Sequence, residues 1–377
     1  MKFTRRSLLQ TAGFAALAGC APRTDPAENP PDYANSIIID GLGGFTNPNL
    51  PPSRSLAERF DDRARADLRA SGVTAMNVTL NWVAGPGNPY EASLASIEDY
   101  DSIVAAHPDS LLKVLTTDDI HAAKASGRTG LIYGFQNAEQ LGGDAGRIAE
   151  FFERGIRIIQ LTYNIANSLG HGSVVPENGG LTAFGREAVA AMNAIGMLVD
   201  LSHSGEQTCL DAIEQTTAPI VISHTGCRAL ADLPRNKTDA ELRGVAEGGG
   251  VVGIYYMPFL NAVGQPYAEA VVRHIEYALN VCGEDHVGIG TDNPVSAIDD
   301  LDAYRLELME ELRERRRLGI SAPGETDDIV PFIPDLRGPD KFRDIGQRLR
   351  ARGHSERVIN KVLGANFLRV MNDVWPG

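Results

Sequence analysis

Eight short apolar, β-branched runs, each separated from the next by helix-like spacing, constrain what this chain can fold into. They lie near residues 37–40, 73–80, 130–136, 156–163, 197–203, 219–224, 250–256 and 286–292. Helical patterns fall between them at 55–71, 93–107, 145–154, 185–195, 206–215, 239–247 and 267–282, and residues 111–115 read as an extra short strand. Strands that alternate with helices must run parallel, because each crossover returns the chain to the same edge. Eight such repeats over about 260 residues predict an α/β fold, a TIM-like (β/α)8 barrel with a C-terminal helical extension. A doubly wound open sheet is the alternative. Asp40-Gly41-Leu42-Gly43-Gly44 follows the first run but lacks the spacing of a dinucleotide-binding turn.

The start of the chain reads as an address. Arg5-Arg6 precedes an apolar stretch, residues 8–18, that is too short to span a bilayer. A twin arginine there is the mark of Tat export. Leu17-Ala18-Gly19-Cys20 resembles a bacterial lipobox with Cys20 as the lipidated residue, an ordinary signal peptide being the alternative. The expected organisation is a signal peptide over 1–20, a Pro-rich tether over 21–33 and one barrel domain over 34–377. The protein is then expected in the exported cell envelope or periplasm, touching the membrane only through a lipid on Cys20. A net charge of −14 excludes a nucleic-acid partner, since no basic stripe offsets it. Cys209, Cys227 and Cys282 form no C-x-x-C pair, so structural zinc on cysteine is not expected. Buried free thiols are favoured over a disulfide among them.

In a barrel the carboxyl ends of all strands face one cavity. His203 and His224 end two consecutive runs, each directly after a serine, and Asp292 ends the eighth. Imidazoles there are ready metal ligands or proton carriers. Asp292 is the candidate catalytic residue, placed to take a proton from an attacking water. Gln136, Tyr163 and Asn164 end two further runs, and Arg235, in the loop after His224, could hold a carboxylate through two parallel hydrogen bonds.

These residues carry a resemblance. The segment from Gly185 to His203, Ile222-Ser223-His224, Pro234-Arg235-Asn236, the run Val287 to Asp292 and the closing Gly364 to Val370 are similar to segments of the membrane dipeptidases, the renal-dipeptidase-like peptidases of family M19. The resemblance covers residues 34–300 and the closing segment. It implies an α/β barrel, two bridged zinc ions and hydrolysis of dipeptides, often with a D-residue at the C-terminal position. It also implies that His203 and His224 bind the second zinc, Arg235 holds the substrate carboxylate and Asp292 handles the proton of water. Homodimers occur in the family.

The departures from that pattern agree with each other. The family's first strand ends Asp-Gly-His-Asn-Asp, its His and last Asp binding the first zinc; here Leu42 and Gly44 stand in those places. Gln136 replaces the bridging glutamate, and Tyr163 replaces a substrate-binding histidine. Every change removes the first metal or charge near it. The expectation is therefore a hydrolase of a dipeptide or N-acyl amino acid with one zinc on His203, His224 and either Gln136 or Asp292. His171 or Glu177 could supply a replacement ligand. A metal-free lyase or isomerase, or a peptide-binding envelope lipoprotein without catalysis, are the alternatives.

Overall fold

The computed structural model describes residue 33, residues 35–80 and residues 83–376. The expected signal peptide, its Cys20 and nearly all of the tether lie outside the described residues. Tyr33, at the tether's end, is buried and packs near Gly346, so the packed body includes it.

Eight parallel strands close into a barrel: β1 (Ile39–Asp40), β2 (Ala75–Thr79), β3 (Thr129–Phe135), β4 (Ile156–Gln160), β5 (Leu198–Asp200), β6 (Val221–Thr225), β7 (Val251–Ile254) and β8 (Val287–Ile289). The ring closes where β1 pairs with both β8, at Asp40 and Ile289, and β2, at Ile39 and Ala75. This closed ring rules out the open sheet. The extra strand, Leu111–Lys113, pairs beside the start of β3. Every residue of the eight barrel strands except Thr79 is buried, as strands covered by helices on one face and a barrel core on the other must be.

Ile39, Ala75, Ile132, Ile158, Leu198, Val221 and Val251 form the inner core. The C-terminal helix Asn366–Val374 seals its lower end with Phe367, Val370 and Met371. Asn366 and Arg369 fasten that helix to backbone carbonyls just before β7 and at the start of β8. With the bottom plugged, the upper end alone is open for chemistry.

The expected helices form, except that 55–71 is broken into Leu56–Arg59 and Asp62–Ser71, each with its own cap, Ser55 and Asp61. Two helices lie outside the sequence reading: Thr117–Ser126 and Leu301–Arg317. The second has an Asp300 cap and ends in Arg315-Arg316-Arg317, charges that suit the helix dipole at both ends. Among the described residues no helix is long and apolar enough to cross a membrane. Cys209, Cys227 and Cys282 are buried free thiols, as favoured.

Candidate active site

The site is built on one buried carboxylate that sequence reasoning passed over. Asp200 ends β5, where backbone pairing to β6 has dwindled to a single register partner. Its side chain holds the strands together instead. It accepts hydrogen bonds from Ser202 N at 3.0 Å, Ser202 Oγ at 2.6 Å, Ser223 N at 2.9 Å and Ser223 Oγ at 2.5 Å. Burial pushes its pKa up and these donors pull it back, leaving it raised. The signal for it was present: a carboxylate inside an apolar strand, with a serine before each histidine.

That network decides the state of both imidazoles. The Ser223 hydroxyl hydrogen goes to Asp200, so Ser223 Oγ accepts from His224 Nδ1 at 2.8 Å. Ser202 Oγ, committed in the same way, accepts from His224 N at 3.0 Å. Asn164 donates its amide to Ile320 O at 2.7 Å, so its Oδ1 accepts from His203 Nδ1 at 2.6 Å. Both rings therefore carry hydrogen on Nδ1 and a lone pair on Nε2. Both Nε2 atoms are buried with no hydrogen-bond partner. The rings lie 5.0 Å apart at 61°. Burial, with the Arg235 guanidinium beside them, holds both pKa values well below the ordinary range, so both stay neutral. An unpaired buried polar atom costs free energy, and two at the mouth of a barrel need a reason.

A cavity of about 290 Å³ opens beside them, lined by Gln136, Tyr163, His203, Arg235, Asp292 and Arg315 among others, with an apolar wall of Met257, Phe259, Leu308 and Leu312. Arg235 is almost fully buried, yet among the described residues it pairs with no carboxylate; its Nη1 donates to Ser202 O at 2.5 Å. It is not a surface arginine. Its loop is stapled by Asn236, which donates to Ala231 O and Phe259 O and accepts from the Tyr255 hydroxyl. A buried guanidinium without an anion invites one.

Asp292 adopts φ +55, a conformation L-residues rarely occupy. Its amide donates to Leu42 O at 2.8 Å, and Asn293–Pro294 pair in parallel with Gly43–Gly44. The buried Lys341 ammonium holds this turn from behind, 3.1 Å from each of Thr291 Oγ1, Asn293 O and Pro294 O. Thr291 Oγ1 in turn donates to Asp40 at 2.7 Å. Burial raises the Asp292 pKa to about 7, against the pull of Arg235 and Arg315. A carboxyl near neutrality in a cleft is suited to taking and returning protons.

The structure brings His203, Arg235, Asp292, Gln136 and Tyr163 to one cavity. Asn164, expected to touch substrate, is instead buried behind His203 as its orienting partner. His224 is fully buried, deeper than His203. His171 and Glu177 bond to each other outside the cavity lining and offer no replacement ligand there. Arg315, Lys341 and Asp200 were not foreseen as parts of the site. Arg315 stood in an Arg-rich helix end, a visible signal whose position over the cavity was not.

The donor set was tested against the metal that the fold implies. The two orphaned Nε2 lone pairs fit one ion. Leu42 and Gly44 offer no donor for a second. Gln136 donates its amide to Thr79 Oγ1 at 2.6 Å, which leaves its oxygen as the free acceptor. Among the described residues no three His, Cys, Asp or Glu side chains are grouped to hold a metal, so any third protein donor is neutral or absent.

The chain matches known proteins along most of its length. The model of the membrane dipeptidase family (peptidase family M19) matches residues 64–322. An uncharacterized protein in the pqqA 5′ region of Klebsiella pneumoniae is 30% identical over 301 residues, 77% of this chain and 98% of that protein. Dipeptidase aclJ of Aspergillus oryzae is 31% identical over 306 residues, 77% of this chain and 68% of its own. The crystal structure of an amidohydrolase from Pseudomonas aeruginosa superposes with a TM-score of 0.77 at 33% identity, covering 91% of this chain and 98% of that one. With its barrel, its paired histidines and its family match, this chain belongs to the membrane dipeptidases of peptidase family M19.

Proposed function

We propose that this protein hydrolyses the amide bond of a dipeptide or related N-acyl amino acid with one metal ion rather than two. The observation that carries the reading is the pair of buried, neutral imidazoles whose Nε2 atoms have no partner. A zinc ion on His203 and His224, with the Gln136 amide oxygen as a neutral third donor, would supply a Lewis acid and acidify water. Arg235 anchors the substrate carboxylate, its charge unspent on any acid among the described residues. Asp292 takes the proton of the attacking water and returns it to the leaving amine. The apolar wall, Met257 to Leu312, receives side chains and keeps water away.

Export and lipid attachment through Cys20 are proposed on Arg5-Arg6 and the Leu17–Cys20 run alone. A homodimer is likewise proposed on family likeness only.

Elemental analysis of the untagged protein tests the metal claim. One zinc per chain, lost in His203→Ala, is the expected result. Two per chain sinks the single-ion reading, and none leaves the metal-free alternatives. With L,L- and L,D-dipeptides, Asp292→Asn should lower kcat by roughly 10²–10⁴-fold, the usual weight of a general base. No turnover of any dipeptide with any added metal overturns the hydrolase reading.

A further inference from the structure

We propose that Tyr163 and Arg315 form a polarised hydrogen-bond donor facing the reacting carbonyl, so that helix Leu301–Arg317 supplies electrophilic assistance beside His203. The proposal rests on the hydrolase reading above and adds a group to it.

Tyr163 lines the cavity and stacks on His203, ring centroids 4.2 Å apart at 21°. Its phenol therefore lies along the wall that carries the orphaned His203 Nε2. Arg315 reaches the same cavity from the end of its helix and donates from Nη1 to Tyr163 Oη at 3.2 Å. A guanidinium has no acceptor, so the phenol oxygen must accept, and its own hydrogen remains to be given away. Among the described residues no acceptor takes that hydrogen. The donor that remains is directed by default at whatever fills the cavity.

Arg315 is not free to swing. Glu325 grips it with two bonds, Nε to Oε2 at 3.0 Å and Nη2 to Oε1 at 2.6 Å, and Ser321 Oγ holds Glu325 at 2.7 Å. Asn164 ties the same turn to the barrel through Ile320 O. One asparagine therefore sets both the His203 lone pair and the arm that carries Arg315. Such fixed donors cost no reorganisation when charge develops, which is why they count for catalysis.

In the step itself, the water oxygen bonds to the amide carbon while Asp292 takes its proton. The carbonyl electron pair moves onto oxygen, where the Tyr163 O–H donates a hydrogen bond without transferring its proton. Collapse of the adduct breaks the C–N bond, and Asp292 returns the proton to the amine. Tyr163 is thus a catalytic residue; Arg315, which acts through it, is a positioning residue.

Tyr163→Phe keeps the ring and its stacking and removes one donor. The expected result is a fall in kcat of about 100-fold or more with KM changed less than about threefold. A phosphinate dipeptide mimic, tetrahedral and anionic like the adduct, should lose affinity by a similar factor, while the released amino acid binds as before. Arg315→Lys keeps charge but not the fork, and should show a smaller loss in kcat with the same pattern. Unchanged kcat in Tyr163→Phe, or a loss confined to KM, overturns the proposal. If the wild type turns over no dipeptide, the hydrolase reading fails on its own. The phosphinate then decides the donor pair: equal affinity for wild type and Tyr163→Phe overturns it, and a selective drop supports it.

Discussion

The two sides of the barrel mouth are built on opposite principles. At β5 and β6, Asp200 spends its four hydrogen bonds on two serines, and these fix one imidazole while Asn164 fixes the other. Among the described residues the two histidine Nε2 atoms there are left without a partner. At β1 the same depth holds Leu42, Gly43 and Gly44, and the polar work is turned inward. Asp40 and Lys341 are joined through Thr291 and brace the Asp292 turn. One side presents lone pairs to the cavity; the other presents none and serves as scaffolding. The charged groups on the second side, Asp40 and Lys341, are engaged with the Asp292 turn rather than with the cavity.

The sharpest way to break this comparison is to give the empty side its donors back. Leu42→His, Gly44→Asp and Gln136→Glu together should raise bound zinc from one to two per chain, read by elemental analysis. A Cβ at Gly44 meets nothing nearer than Pro294 Cα at 3.4 Å, so the aspartate has room. If the triple variant folds and still binds one ion, then the surrounding scaffold, not the missing donors, is what excludes the second. That result would move attention to Lys341, whose buried ammonium would repel a nearby dication.

The ordered side is tested by Asp200→Asn. An amide cannot accept from all four donors, so the serines loosen and His224 loses its fixed tautomer. Partners of this kind are worth roughly 10–100-fold in metal affinity. Titration against a competing chelator should show a loss in that range with the His203–Asn164 bond intact. An unchanged affinity would mean that packing alone sets the imidazole and the serine network is incidental.

This contrast also explains what could be read from the chain before its structure. Strand positions were legible because a strand buried on both faces is a short β-branched run, as in Ile220-Val221-Ile222. The meeting of His203, Arg235 and Asp292 at one cavity was legible because strand ends and βα loops converge at one end of a barrel. Asn164 was misplaced because a polar residue at a strand end can face the cavity or the layer behind it, and spacing does not say which. Arg315 was invisible for a different reason. It lies outside the repeating units, on a helix whose placement over the mouth depends on contacts such as Asn164 to Ile320 O. The Asp40–Thr291–Lys341 link spans 301 residues, and only the closed barrel brings its ends together.

The smallest effect sharpens the comparison at Asp292, where the two sides meet. Its carboxyl is raised from an ordinary 3.8 to about 7, chiefly by burial. A raised acid binds its proton more readily folded than unfolded. Across about pH 4 to 7 the folded state then holds the extra proton, and stability falls as pH rises through that window. The whole penalty is present at pH 8 and absent at pH 4. Asp292→Asn removes it, and asparagine tolerates the left-handed φ as well as aspartate does. Metal-free protein should therefore melt higher in the variant than in the wild type at pH 8, with the two converging near pH 4. Asp40, raised to about 6, adds a slope of the same sign in both proteins. A gap that stays constant with pH would show that the Asp292 charge costs the fold nothing.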